Sequence, residues 1–336
     1  MPELSPRGYR VTRLVGRSPA TRRVIELIEQ IAATTASVLI TGESGTGKEL
    51  AAKSIHSSST RRDRPFVAIN CAAVPETLIE SELFGHERGA FTGAHQRQTG
   101  CFERANGGTL LLDEITEMRP EMQAKLLRVL EEKEIRRLGG DREIRIDVRV
   151  LAASNRQPRR AIHEGRLRQD LYFRLSVLSI ELPPLRERIE DLPLLAAEFL
   201  RQFNREHRKA VQGIDEDCFS SLKAYSWPGN IRELRNAIER AVILCRSPML
   251  SSGDLPTALA DRTGAGSDLG FMIRPGASLK EVEAEMIFRT LASVGGDKTR
   301  AARILGIARR SIYNLLERYN GQTATRHPNG KGPRNR

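Results

Sequence analysis

The sequence predicts an α/β fold in which a parallel sheet is sandwiched by helices, followed by a small all-helical subdomain and a separate all-α unit at the C-terminal end. Three observations carry this. Five short apolar runs alternate with helix-like periodicity between residues 36 and 182, and they stop after Asp191 while the helical periodicity continues. A stretch rich in Ser, Gly, Pro and Asp then separates the last helices from the rest.

The runs are SVLIT (37–41), FVAIN (66–70), GTLLLDE (108–114), VRVLAAS (148–154) and SVLSIEL (176–182). Residues that are apolar at consecutive positions suit strands buried on both faces, as in a parallel sheet covered by helices. Between the third and fourth runs, Met122, Leu126, Val129 and Leu130 fall on one helical face with charged residues opposite. Past Asp191, Leu192, Leu195, Phe199 and Phe203 keep the helical period, and two more helices are expected near 215–225 and 230–245. The expected boundaries are a short extension over 1–14, an α/β subdomain over 15–182, a helical lid over 183–250 and a linker over 251–277. A helical unit over 278–320 and a basic, disordered tail over 321–336 complete the chain.

Composition removes several function classes. The chain has 336 residues, 39% of them hydrophobic, but no run reaches the roughly 18–20 apolar residues of a membrane span, and its start lacks the apolar core of a secretory signal. A cytoplasmic protein with no membrane partner is expected. Its four cysteines form no CxxC pair and its six histidines no HxxH, so neither a disulfide framework nor a zinc site is indicated. The formal charge of +12 is uneven: from Lys298 onward ten Lys or Arg face the single acid Glu317, a net of +9 that leaves +3 for the first 297 residues. A polyanion-binding function therefore belongs to the C-terminal end, unless that end is only a solvated basic tail.

GESGTGK joins the first apolar run to a good helix former. A Gly-rich loop between strand and helix lets backbone N–H groups converge on phosphate oxygens, and the helix dipole adds to this. The residues expected to hold ATP are Gly42, Glu43, Ser44, Gly45, Thr46, Gly47, Lys48 and Glu49, with Lys48 reaching the β- and γ-phosphates. Glu49 stands where such loops usually carry a Ser or Thr ligand of Mg²⁺, so the loop alone does not establish metal binding. A second acidic element helps: GGTLLLDE ends an apolar strand in Asp113, suited to orient hydrated Mg²⁺ through water, and Glu114, suited to polarise the attacking water.

The run ESELFGHERGAFTGA contains GAFTGA at residues 89–94. With it the chain resembles the bacterial enhancer-binding proteins, AAA+ ATPases that activate sigma-54 RNA polymerase. The resemblance runs from about Val15 to Pro248 and again over the last helices, and includes the loop form GESGTGKE. It implies that Gly89, Ala90, Phe91, Thr92, Gly93 and Ala94 form a nucleotide-driven loop contacting sigma-54, with Phe91 and Thr92 engaging. It further implies that Asn70 couples nucleotide state to Glu114, and that Ser154 and Asn155 occupy the sensor position, where the family more often has Thr in place of Ser154. Arg168 and Arg174 match the segment of the arginine fingers, and Arg232 in WPGNIREL matches the second sensor. Arginine fingers acting on a neighbour's site imply a homo-oligomeric ring, a hexamer in this family. Family members commonly carry an N-terminal receiver or sensory domain. Here the AAA+ similarity begins within about fifteen residues of Met1, and the expectation is a chain lacking that domain and controlled by expression level or by a regulatory protein acting in trans.

At the C-terminal end, KTRAARIL, GI and ARRSIYNLLER read as two helices joined by a tight turn. Ala302, Gly306 and Ile312 supply the small, turn and anchor residues that a helix-turn-helix requires. Arg309, Ser311 and Asn314 would face base edges or phosphates, while Lys298, Arg300 and Arg310 would face the backbone. The unit resembles the Fis-type domain of the same family, which binds enhancer DNA as a dimer. Two other readings remain at this point: a DNA-binding regulator with a vestigial nucleotide domain, and a different AAA+ remodeller. The set Lys48, Asp113, Glu114 and Arg168 argues against the first, and residues 89–94 against the second.

Overall fold

The computed structural model describes residues 14–256 together with 259, 283, 286–288, 290, 291, 294, 297–308 and 310–313. The chain divides into two compact units, Met1–Thr263 and Gly264–Arg336. The expected 1–14 extension (bar residue 14), the basic tail and most of the linker lie outside the described residues.

The first unit is built on five parallel strands, β1 (Val38–Thr41), β2 (Phe66–Asn70), β5 (Thr109–Asp113), β8 (Arg149–Ser154) and β9 (Leu178–Glu181), in the order β2-β5-β8-β1-β9. Each lies inside one of the five apolar runs. Their side chains alternate between two cores, as strands covered on both faces must. Leu110, Leu112, Val150 and Ala152 join one core with α3 (Glu76–Phe84), α5 (Pro120–Glu132) and α7 (Gln169–Leu175). Leu111, Leu151, Val38 and Ile40 join the other with α1 (Pro19–Ala32) and α2 (Lys48–Ser57).

Two small antiparallel ladders interrupt this frame. One pairs β3 (Gly85–His86) with β4 (Gln98–Thr99), and the other pairs β6 (Glu134–Arg136) with β7 (Glu143–Arg145). The short helices α4 (Cys101–Arg104) and α6 (Pro158–His163) complete the α/β part.

The helical subdomain follows as α8 (Leu192–Glu206), α9 (Glu216–Ala224) and α10 (Asn230–Leu244), with β10 (Gly213–Ile214) pairing β11 (Met249–Leu250). Its core contains Phe199, Phe203, Leu234 and the fully buried Trp227, whose Nε1 donates to Leu222 O at 2.8 Å. Leu255 and Leu259 are buried in the same core. The stretch expected to be linker from residue 251 thus begins as part of the lid, because two leucines inside an otherwise polar sequence find apolar partners there.

In the second unit, α11 (Lys298–Ile304) is capped by Asp297, whose Oδ1 accepts from the backbone N–H of Thr299 and Arg300. Gly306, at φ +66°, turns the chain after it. Ala301, Ala302 and Ile312 are buried together. Among the described residues no helix is long and apolar enough to cross a membrane.

Candidate nucleotide site and its surroundings

β1 delivers the chain into the loop 42–47 at the carboxyl edge of the sheet, and α2 leaves from Lys48. Gly47, the cap of α2, sits at φ +103°, where a side chain is strained. Gly45, at φ +80°, also lies so close to the lid that a Cβ would come within 2.2 Å of Gly229 O. Lys48 is 7% exposed, and its Nζ donates to Gly42 O at 3.0 Å and Glu43 O at 3.3 Å.

The end of β5 faces this lysine. Glu114 leaves the strand in a left-handed conformation, φ +54°, uncommon for a residue with a side chain. Its Oε1 stands 3.6 Å from Lys48 Nζ, and its Oε2 accepts from Asn155 N–H at 3.0 Å. Asp113 precedes it and accepts from Glu114 N–H at 3.1 Å. Burial, and then the Glu114 charge, push the Asp113 carboxyl above its ordinary value, with Lys48 opposing them. Two carboxylates and a buried ammonium thus share one corner.

A cleft of about 700 Å³ opens over this corner. One wall is polar, from Ser44, Lys48, Asp113 and Glu114; the other is apolar, from Val15, Leu195, Phe199 and Ile231. That division suits a ligand with an anionic end and a flat hydrophobic end, and the volume is in the range of small-molecule sites. Glu49 pairs with Lys53 at 2.6 Å and has no bond to the loop.

Asn70 ends β2 beside Asp113 in register, but its Oδ1 accepts from the N–H groups of Ala72 and Ala73 at 2.9 and 3.2 Å. It makes no bond to Glu114, because the turn after β2 captures the short amide first. Ser154 is buried and bonds Thr116 Oγ1 and Arg156 N, while Asn155 is exposed. Arg232 NH1 donates to Ser44 Oγ at 2.9 Å, joining the lid to the loop. Arg168 is exposed and paired with Asp170 at 2.7 Å, and Arg174 donates to Leu130 O at 2.8 Å. Neither arginine is bonded to the loop 42–48 of its own chain.

The segment 89–94 closes on itself through Gly89 N–H to Ala94 O at 2.8 Å and Ala94 N–H to Phe91 O at 3.0 Å. The Phe91 ring is 38% exposed and rests edge-on against His86, centroids 5.0 Å apart; His86 Nδ1 is 2.7 Å from Ser81 Oγ. The neighbouring hairpin braces the base of the loop: Glu87 N–H donates to Leu138 O, and Arg137 pairs with Glu87 and Glu103. In the second unit Arg300 and Arg310 are exposed and Ser311 half-buried, whereas Arg309 and Asn314 lie outside the described residues.

Sequence reasoning missed the residues that hold the loop from the lid side. Arg186 makes two bonds to Glu43 at 2.7 and 2.8 Å, Arg188 donates to Thr46 O at 2.8 Å, and Asn230 bonds both Glu43 and Ser44. For the two arginines the available signal was the density of charge in LRERIED, which reads equally well as a solvated surface; Asn230 lies in WPGNIREL, where the resemblance singles out only Arg232.

Fold and site define a P-loop ATPase with a helical lid, joined to a helix-turn-helix unit. Comparison with known proteins agrees: residues 14–181 match the sigma-54 interaction domain, 186–269 the AAA+ ATPase lid domain, and 278–319 the Fis family of bacterial regulatory proteins. The chain is 49% identical over 308 residues to the transcriptional regulatory protein ZraR of Escherichia coli (strain K12), covering 91% of this chain and 68% of that protein. It is 48% identical over 310 residues to the regulatory protein AtoC of the same strain, covering 91% and 67%. A crystal structure of NtrX from Brucella abortus matches with a TM-score of 0.72 at 34% identity over 91% of this chain and 69% of that one. NtrX in complex with ADP matches at 0.71 and 35% identity over 92% and 69%. The chain belongs to the sigma-54-dependent transcriptional activators, and is an AAA+ ATPase with a Fis-type DNA-binding domain.

Proposed function

We propose that the cleft between the loop 42–48 and the lid binds ATP, and that its hydrolysis drives the segment 89–94 against sigma-54, converting a closed polymerase complex into an open one. The observation that carries this is the meeting of Lys48, Asp113 and Glu114 at the floor of a cleft whose roof is the lid. The NtrX structure in complex with ADP supports a nucleotide there.

In this reading the N–H groups of Gly42 to Lys48 and the Lys48 ammonium bind the phosphates, with Glu43, Ser44 and Glu49 completing the loop. Glu114 takes a proton from water as the water oxygen bonds the γ-phosphorus and the bond to the β-phosphate oxygen breaks, releasing ADP and phosphate. The hard oxygen set at Asp113 fits magnesium held through water, which would neutralise phosphate charge. Asn155, whose N–H bonds Glu114, and Arg232, on the lid, report the state of the γ-phosphate, and Asn70, once its amide leaves the turn after β2, couples nucleotide state to Glu114. Arg168 and Arg174 serve a neighbouring subunit, which requires a ring, a hexamer in our reading. The helix-turn-helix brings Arg300, Arg309, Arg310, Ser311 and Asn314 to enhancer DNA as a dimer, and the protein works in the cytoplasm.

Thr92→Ala tests the central step. ATP hydrolysis should persist while open-complex formation on a sigma-54 promoter is lost; loss of both together would give residues 89–94 a structural role and overturn the proposal.

A further inference from the structure

Four consecutive residues of the phosphate loop are held from the lid side. Glu43 is held by Arg186 and Asn230, Ser44 by Asn230 and Arg232, Gly45 O by the Ile231 N–H at 3.0 Å, and Thr46 O by Arg188. Asn230 is the residue that holds two of the four, Glu43 and Ser44. It opens α10 fully buried and in a left-handed conformation, φ +53°. Its Oδ1 accepts from Leu185 N–H at 2.8 Å, and its Nδ2 donates to Glu43 Oε2 and Ser44 O, both at 3.1 Å.

That set of partners explains the residue type. One short side chain must accept from the segment leading into the lid, donate twice to the loop and tolerate a positive φ; Asn alone does all three. Asp would keep the acceptor and lose both donors. Glu43 is a strong partner because the Arg186 bonds, and then the Asn230 bond, lower its pKa to about 2, so it stays a carboxylate throughout the working range.

We propose that Asn230 is a positioning residue for ATP turnover, the contact through which lid orientation sets the geometry of the phosphate loop. This rests on the cleft being the ATP site. A lid that rotates about its base must first release Ser44 O and Glu43, and the loop N–H groups then lose the arrangement in which they meet the phosphates. Arg232 reports through one exposed side-chain bond, whereas Asn230 links the lid segment, the loop backbone and Glu43 at one buried atom cluster.

The test separates turnover from binding. Asn230→Asp should lower kcat at least about tenfold while the Kd of a fluorescent ATP analogue changes less than about threefold, because the groups that touch nucleotide remain. Adding Glu43→Gln should recover at least about threefold of that kcat, since the amide introduced in the loop can donate to the carboxylate introduced in the lid, a bond of reversed polarity. Lys48→Ala is the control: a variant that still turns over would remove the ATP site itself. With Lys48→Ala inactive, parental turnover in Asn230→Asp, or a double variant no faster than Asn230→Asp, overturns the positioning role alone. Should Asn230→Asp not fold, Arg186→Ala takes its place; a selective fall in kcat of at least about threefold supports the coupling, and unchanged kcat overturns it.

Discussion

Asp191 Oδ2 accepts a hydrogen bond from Ser18 Oγ at 2.8 Å, across 173 residues of chain. Ser18 caps α1 and Asp191 caps α8, so this contact pins the start of the α/β part to the start of the lid. The carboxylate is fully buried and also accepts from the N–H groups of Arg17 and Ser18 at 2.6 and 2.7 Å and from Thr21 Oγ1 at 2.5 Å.

Asp191→Asn keeps the shape but turns an amide N–H₂ toward those donors. Hydrogen bonds to a charged group contribute about 1.5–3 kcal/mol each, and the amide still satisfies part of the set, so the expected loss is about 3 kcal/mol. Chemical denaturation followed at Trp227 in the lid measures it. Burial alone would raise the Asp191 pKa; the bonds from Thr21, Ser18 and Arg17 outweigh it and hold the carboxyl below its ordinary value. Its contribution is therefore fully present above the unfolded value of about 3.9 and fades as pH falls through the lower folded value. The stability gap between parent and variant should stay constant from pH 8 to pH 5 and narrow only below about pH 4. A gap that closes near neutrality would mean that some other group carries the effect.

Glu114→Gln removes the base and the partner of Lys48 at once while keeping the Asn155 N–H bond. Turnover should fall by about 10² to 10⁴, the usual size of a general-base contribution, while nucleotide still binds. Steady-state phosphate release and fluorescence binding read the two separately. Unchanged turnover would leave the water to another residue.

Much of this was legible in advance, and the limits have physical causes. The central strands of the sheet declare themselves because both faces are buried, so TLLLD and RVLAAS carry uninterrupted apolar runs, LLL and VLAA. Lys48, Asp113 and Glu114 stand out because a phosphate loop and an acidic strand end are each local in sequence. The ladders β3–β4 and β6–β7 are two or three residues long, too short for any period to register. The clamp of Ser18 by Asp191 and the hold of Asn230 on Glu43 join segments more than 170 residues apart, through side chains that look like ordinary solvated groups until the fold brings them together. Asn70 shows the opposite limit: the resemblance tied it to Glu114 and the sheet sets it beside Asp113, but nothing in the sequence told that its amide would turn to Ala72 and Ala73.

Arg174 and Arg168 are tied to Leu130 O and Asp170 in their own chain. If each acts on a neighbour, mixing two inactive variants restores activity. Lys48→Ala supplies intact arginines and Arg174→Ala supplies an intact loop. In a randomly mixed ring with one type of head-to-tail interface, about a quarter of the sites should combine both, so ATPase activity should return to roughly that share of the parent's. Arg168→Ala should behave alike. Two pools that stay inactive when mixed would move these arginines out of the neighbour's site.

The DNA contacts separate by their dependence on salt. Arg300 is exposed at the start of α11, whereas Lys298 Nζ lies 4.5 Å over the Tyr313 ring, which leaves Arg300 the freer cation for a phosphate. One phosphate contact releases close to one counterion, so Arg300→Ala should reduce the slope of log K against log salt by about 0.9 and weaken specific and non-specific DNA alike. Arg309→Ala should instead cost about 1–3 kcal/mol on the enhancer and far less on unrelated DNA, as a base contact does. Binding titrations at several salt concentrations on both DNAs distinguish the two patterns. ATP turnover without DNA serves as the internal control, because neither residue belongs to the ATPase unit. An Arg300→Ala protein with the parental slope would place the phosphate contact on another residue, and an Arg309→Ala protein weakened equally on both DNAs would make that arginine a backbone contact.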